Sequence, residues 1–151
     1  MSYSAGEALI LTLVQAATNF SSASTSRGKW GILNRGQSTS AAYAIAKPGP
    51  SVFTWLSPTT YQARHVTIIQ VWQRYKDDGD SLTNLEARVD NILTKLMPSR
   101  TLGDTTNSIS GATVTNLGEV EEMWTRKGVG PAWLKQNVVI QWDEEVTVTN
   151  S

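Results

Sequence analysis

His65 is the sole histidine of this 151-residue chain, and there is no cysteine. A histidine working as a general base needs a hydroxyl or thiol to deprotonate and a carboxylate to orient its ring. No neighbouring segment supplies that set. One imidazole and no thiolate also cannot make a histidine- or cysteine-based metal site, so neither metal nor cofactor is expected. His65 is expected to be an ordinary strand residue with its polar tip at the surface.

Carboxylates come in three runs: Asp77-Asp78-Gly79-Asp80, Glu119-Val120-Glu121-Glu122 and Asp143-Glu144-Glu145. The first lacks the alternating oxygen ligands and closing glutamate of a calcium loop, and reads as a turn leading into a helix cap. The other two hold paired acids of the type used in glycoside hydrolysis, with Glu121 and Glu144 as the residues to test. Acids at element ends are usually solvated, and that is the expectation here. Gly128-Val129-Gly130 lacks the third glycine of a dinucleotide fingerprint, and no phosphate-binding loop or nucleophile elbow is present. The chain is not expected to be an enzyme.

Six tryptophans carry more information. Trp55, Trp72 and Trp142 fall on predicted strands and are expected in the core or on a sheet face. Trp30, Trp124 and Trp133 fall in or beside predicted loops, where exposed indoles serve as interface anchors. Trp30 also has Arg27, Lys29 and Arg35 for neighbours. Cations around a stacking ring suit an acidic protein surface, or a weak, salt-sensitive contact with nucleic acid. The expected interface set is therefore Arg27, Lys29, Trp30, Arg35, Trp124 and Trp133.

The 13 basic and 13 acidic side chains cancel, but they are segregated along the chain. Residues 1–76 hold seven cations and the single acid Glu7, whereas residues 77–151 hold six cations and twelve acids. Such a balance does not indicate a globally basic nucleic-acid binder. It permits a molecule whose positive side meets the negative side of a copy of itself.

The elements that must position these residues follow from periodicity. One domain spanning 1–151 is expected from the length. Residues 4–20 predict a helix with Leu9, Leu13, Ala16, Ala17 and Phe20 inward and Glu7 outward, capped by Ser4. Residues 21–40, rich in Ser, Thr and Gly, predict a long flexible loop. Strands follow at Thr39 to Pro48, broken by Pro48-Gly49-Pro50, at Val52 to Leu56, and at Arg64 to Tyr75. Leu82, Leu85, Val89, Ile92, Leu93 and Leu96 form a helical stripe ended by Pro98. Residues 99–111 predict a loop, 112–114 a short strand, and Glu119 to Lys127 a short helix. Asn137 to Thr149 predicts a last strand with Val138, Ile140 and Trp142 on one face. This order argues for an α+β fold: a mostly antiparallel sheet with helices on one face. No run approaches the roughly 20 apolar residues of a membrane span, and the N-terminus lacks the features of a secretory leader.

Three phrases within this order carry a family resemblance. They are the long strand His65-Val66-Thr67-Ile68-Ile69-Gln70-Val71-Trp72, the Leu82 to Leu96 helix, and the closing pattern Glu122-Met123-Trp124, Trp133-Leu134, Ile140-Gln141-Trp142. With the N-terminal helix and the Tyr43 to Pro50 strand, they resemble the tail terminator (tail-completion) proteins of long-tailed bacteriophages. The resemblance implies a virion structural protein that forms a ring, usually a hexamer, on the tail tube and joins it to the head. Its implied partners are copies of itself, the tail tube protein and a head-completion or connector protein. DNA would pass through the ring without sequence-specific binding, and assembly would occur in the host cytoplasm before residence at the head–tail junction. Another connector or tube subunit is the nearest alternative, and a nucleic-acid module using residues 27–35 a more distant one.

Overall fold

The computed structural model describes residues 3–17, 20, 25–27, 42–75, 78–104, 108–124 and 131–148. Among the described residues the elements run in the order α1 (Tyr3–Gln15), β1 (Thr25–Arg27), β2 (Ala42–Trp55), β3 (Thr60–Arg74), α2 (Asp78–Leu96), β4 (Ile109–Leu117), β5 (Glu121–Trp124) and β6 (Pro131–Thr147). The expected α+β class is what forms: one sheet in the order β1-β2-β3-β6-β4, with β5 also on β6. Among the described strands all pairings are antiparallel except β1 with β2.

The frame of the sheet is the pairing of β3 with β6, unbroken from Thr60↔Thr147 to Arg74↔Trp133. β-Branched and aromatic residues dominate β3, and a strand of its length spans roughly 50 Å at about 3.3 Å per residue. Strand period two divides its side chains cleanly. Thr67, Ile69 and Val71 face the helices beside Ala44, Ala46, Val138, Ile140 and Trp142. Tyr43, Ile45, Trp72 and Trp133 form a second cluster on the opposite face.

α1 and α2 cover one face, and α2 follows its sequence stripe. Leu85, Val89, Ile92 and Leu96 are buried, whereas Leu82 at the stripe's start is 38% exposed. Arg88 Nε donates to Gln73 Oε1 at 2.7 Å, tying α2 to β3. Burial of that guanidinium pushes its pKa below the usual arginine value.

The first helix is shorter and turned relative to expectation. It ends at Gln15, where Ala16 and Ala17 donate back to Leu13 and Val14 in a tightened last turn. Ile10, Leu11, Val14 and Ala17 point inward, Ala16 is exposed, and Glu7 is buried rather than solvated. The phase differs because Leu9, Ile10, Leu11, Leu13 and Val14 make the helix apolar over most of its circumference. Gly6 then decides which side docks: a Cβ there would lie against the Trp142 ring, 2.5 Å from Cζ2 and 2.7 Å from Cζ3. Gly6→Ala should cost about 1–3 kcal/mol by overpacking, although alanine gains about 1 kcal/mol in helix propensity. A chemical-denaturation midpoint at or above that of the parent would show that α1 does not rest on Trp142.

Four further expectations change. The 21–40 loop contains β1, whose backbone runs parallel to Ala44–Ala46 on the sheet edge. Pro48-Gly49-Pro50 does not end a strand. β2 continues through it with a register shift between Pro48 and Ser51. Pro48 still lies opposite Thr67 of β3, Pro50 falls within the register shift, and β1 pairing ends at Ala46, so both prolines sit at a bulge beyond the end of the edge strand, where proline is tolerated. Glu121–Trp124 is a strand rather than part of a helix, pairing with Lys135, Leu134, Trp133 and Pro131. β6 begins at Pro131, six residues before the alternation becomes plain, which puts Trp133 in a strand.

Candidate functional site

The register shift after Pro48 changes which face the far half of β2 presents. Before it, Ala42, Ala44 and Ala46 face the helices; after it, Ser51, Phe53 and Trp55 do, opposite His65, Ala63 and Tyr61. One row of rings therefore runs along a single sheet face. Trp142 and His65 have centroids 4.6 Å apart, Phe53 and His65 6.2 Å, Phe53 and Tyr61 5.9 Å, and Trp55 and Tyr61 5.1 Å. The inner end of this row lies in the core, with Trp142 at 0% exposure. Its outer end is bare: Phe53 and Trp55 are 60% and 61% exposed, and Val52, on the opposite face, and Leu56, at the turn, are 62% and 57% exposed. It is a core face that has outrun its helices.

The tip is firmly built. Ser57 Oγ accepts from the backbone N–H of Thr60 at 3.0 Å and of Thr59 at 3.2 Å. Leu56 N–H donates to the Thr60 carbonyl at 2.9 Å, and Val148 N–H reaches across to the Thr59 carbonyl at 2.6 Å. An open hollow lies beside Trp55, Leu56, Ser57 and Pro58. Exposed, pre-ordered apolar side chains of this kind are a feature of interaction surfaces in general.

The expected alternation puts Phe53 and Trp55 on one face, and Trp55 lies on a sheet face, one of its two expected places, rather than in the core. Trp133, expected in or beside a loop as an exposed anchor, is 8% exposed within its own sheet. Tyr43 packs against Trp133 at 5.9 Å, and the Arg74 guanidinium lies 5.3 Å from its centroid. Trp133 thus anchors its own fold, and Trp55 is the indole presented outward. Lys29, Trp30 and Arg35 lie outside the described residues. Arg27 and Trp124 have their backbones in β1 and β5, and their side chains lie outside what is described.

The helix-free face carries charge as well as rings. Lys135 Nζ sits 3.0 Å from Glu121 and 5.5 Å from the Trp72 centroid. Burial, and secondarily the charge of Lys135, push the Lys47 pKa down. Arg64 Nε donates to Asp143 at 3.0 Å, and that hydrogen bond raises the arginine pKa.

His65 is not a surface residue. It is 4% exposed, with Nδ1 2.7 Å from Ser51 Oγ and Nε2 3.2 Å from Glu144 Oε1, and Glu144 is itself 3% exposed. The acid expected to be solvated is therefore buried across the sheet from the histidine. The tautomer that satisfies both contacts donates from Nε2 to Glu144 and accepts the Ser51 hydroxyl proton at Nδ1. This serine–histidine–glutamate line is inverted relative to nucleophilic triads, in which serine meets Nε2 and the acid meets Nδ1. Its position, on the directly opposed pair Ser51↔His65 just past the register shift, suits fixing the register of the hairpin. Glu121, the other acid singled out, is exposed and paired with Lys135.

Among the described residues no group of three or more His, Cys, Asp or Glu is placed to hold a metal ion. None of the described helices is long and apolar enough to cross a membrane.

No protein-family model matches the chain, and no curated protein sequence does. Among solved structures, its fold matches a chain of the "Virion of native gene transfer agent (GTA) particle" with a TM-score of 0.60 at 14% identity. The match covers 95% of this chain and 99% of that one. At such identity the likeness is one of fold.

Proposed function

We propose that the chain is a structural subunit of a phage or phage-like virion, and that it forms a ring which caps the tail tube and joins it to the head. The observation that carries this reading is the fold shared over nearly the whole length of a virion chain. The bare hairpin tip supports it from a different direction, because Phe53 and Trp55 lie bare on one face of the tip and Val52 on the other, apolar side chains suited to a protein neighbour.

The mechanism is geometric. A subunit whose contacts are heterologous, with one patch meeting a different patch on the next copy, closes into a ring when its rotation permits. A closed ring covers the exposed end of the last tube layer and offers the head a different surface, so growth stops. Six copies is the number the tail-terminator resemblance implies, and DNA would pass through the centre without base readout.

Mass photometry of the purified protein at micromolar concentration, with and without tail tubes, tests this. A discrete closed oligomer is expected, free or bound at tube ends. A strict monomer in both settings would overturn the ring. Open-ended tubes would instead assign the chain to the tube wall.

A further inference from the structure

Two edges of the sheet are open among the described residues. β1 leaves β2 at Ala46, so residues 51–55 have β3 on one side and no described strand on the other. At the far edge β4 pairs with β6 alone. The Ala112 N–H is taken by the Arg100 carbonyl, and past it residues 113–117 have no described strand on their outer side. Neither 51–55 nor 113–117 contains a charge or a proline, the usual devices that keep a sheet edge from pairing. Both edges also carry thinly covered apolar side chains on the helix side. On β2 these are Phe53 and Trp55; on β4 they are the partly buried Val114 and Leu117, 42% exposed, opposite Ile140 and Val138.

We infer that the open half of β2 in one copy of this chain pairs with β4 of the next copy, so that the sheets of the ring join edge to edge. The inference rests on the ring reading and names its contact. An unpaired edge takes a β-strand, because only another backbone satisfies its row of N–H and C=O groups. Three observations select β4 of a second copy. The first is polarity: β2 and β6 run one way and β3 and β4 the other, so repeating the sheet brings β4 against the next β2 antiparallel. The second is stagger. Phe53 lies in the row of Ala63, and Val114 in the row of Ile140 and Thr67, four residues further along β3. Closed barrels shift by about one residue per strand at a tilt near 36°, hence about four for β2, β3, β6 and β4. Because parallel strands such as β3 and β4 are joined by a right-handed crossover, the shift has the sense that a barrel with α1 and α2 outside requires. The third is cover. That stagger sets Phe53 opposite Val114, with Trp55 and Leu117 to either side, so the two thinly covered rows meet on one face. The contact is heterologous, since each copy keeps one open β2 and one open β4 until the ring closes.

The chain has no cysteine, so introduced thiols report this contact alone. Thr54 and Thr113 lie on the helix-free side, opposite Gln62 and Gln141, and the same stagger sets them side by side across the joined edges. Within one copy they are three strands apart, roughly 14 Å at about 4.8 Å per strand, beyond the ~7 Å Cα separation a disulfide can span. Thr54→Cys and Thr113→Cys chains are mixed, with and without tail tubes, and oxidised. A disulfide-linked heterodimer of one chain of each kind is expected to dominate. Assembly by mass photometry without that heterodimer would overturn the edge pairing and leave the ring standing. Predominant homodimers of the Thr54→Cys chain would overturn it too, by showing β2 meeting β2. Absence of both assembly and heterodimer would overturn the pairing and the ring together. In the unsubstituted protein, assembly should slow amide exchange at 51–55 and 113–117, and unchanged exchange in both segments of an assembled ring would overturn the pairing independently of the thiols.

Discussion

Trp55→Ala is expected to weaken self-association roughly a hundredfold while leaving the monomer's denaturation midpoint nearly unchanged, and Trp133→Ala is expected to lower that midpoint instead. The two residues are the same type within one sheet, and they differ in what covers them. Trp55 is 61% exposed and touches Tyr61, so truncation removes little that stabilises the free chain. In an assembly its remaining surface would be buried, which is worth about 3 kcal/mol at ~25 cal/mol per Å², or a loss of roughly a hundredfold in association. Trp133 is 8% exposed, packed against Tyr43 and covered by Arg74. Its removal opens a hole in the second cluster and should cost about 3–5 kcal/mol of folding free energy. Sedimentation velocity reads the first effect and urea denaturation the second. Should Trp55→Ala assemble normally, the bare tip is not the contact; should Trp133→Ala fold normally, that indole is not part of the core.

The different covering of these two tryptophans shows what sequence patterning carries. Period two correctly placed Phe53 with Trp55, and Val138 with Ile140 and Trp142. It says which residues share a face, but not whether a helix reaches far enough to cover that face. The α2 stripe was legible because polar residues separate Leu85, Val89, Ile92 and Leu96. The α1 stripe was not, because consecutive apolar residues fit more than one orientation and only the contact between Gly6 and Trp142 selects one. β5 was misread because Glu-Val-Glu-Glu-Met-Trp has the composition of a helix start. Its strand geometry comes from the edge that β6 offers at Pro131–Lys135. Continuity of β2 through two prolines likewise depends on a tertiary fact, the end of β1 pairing at Ala46. The Ser51–His65–Glu144 line joins residues 14 and 79 positions apart, so no local motif announces it.

That line gives the second large effect. His65→Leu should destabilise the protein by about 3–5 kcal/mol, because it takes the Nε2–H donor from a carboxylate that is 3% exposed and cannot recover its hydration. Ser51→Ala removes one neutral partner from a half-buried site and should cost only about 1 kcal/mol. The double change His65→Leu with Glu144→Leu removes the buried charge along with its partner. It should therefore recover much of the loss, with a coupling of about 1–3 kcal/mol in a double-mutant cycle. If the single and double changes simply add, the two groups do not act as a pair. The same variants separate a structural line from a nucleophilic one. A serine activated for attack would be labelled by a fluorophosphonate, and labelling would vanish in Ser51→Ala and in His65→Leu. The inverted ring, with serine on Nδ1 and acid on Nε2, leads us to expect no labelling in any of these proteins. The measurable consequence should instead be mechanical. Loosening Ser51 from His65 frees the register just past the shift at Pro48, and hydrogen exchange at Val52 to Trp55 should rise before exchange in the 66–72 core of β3 does.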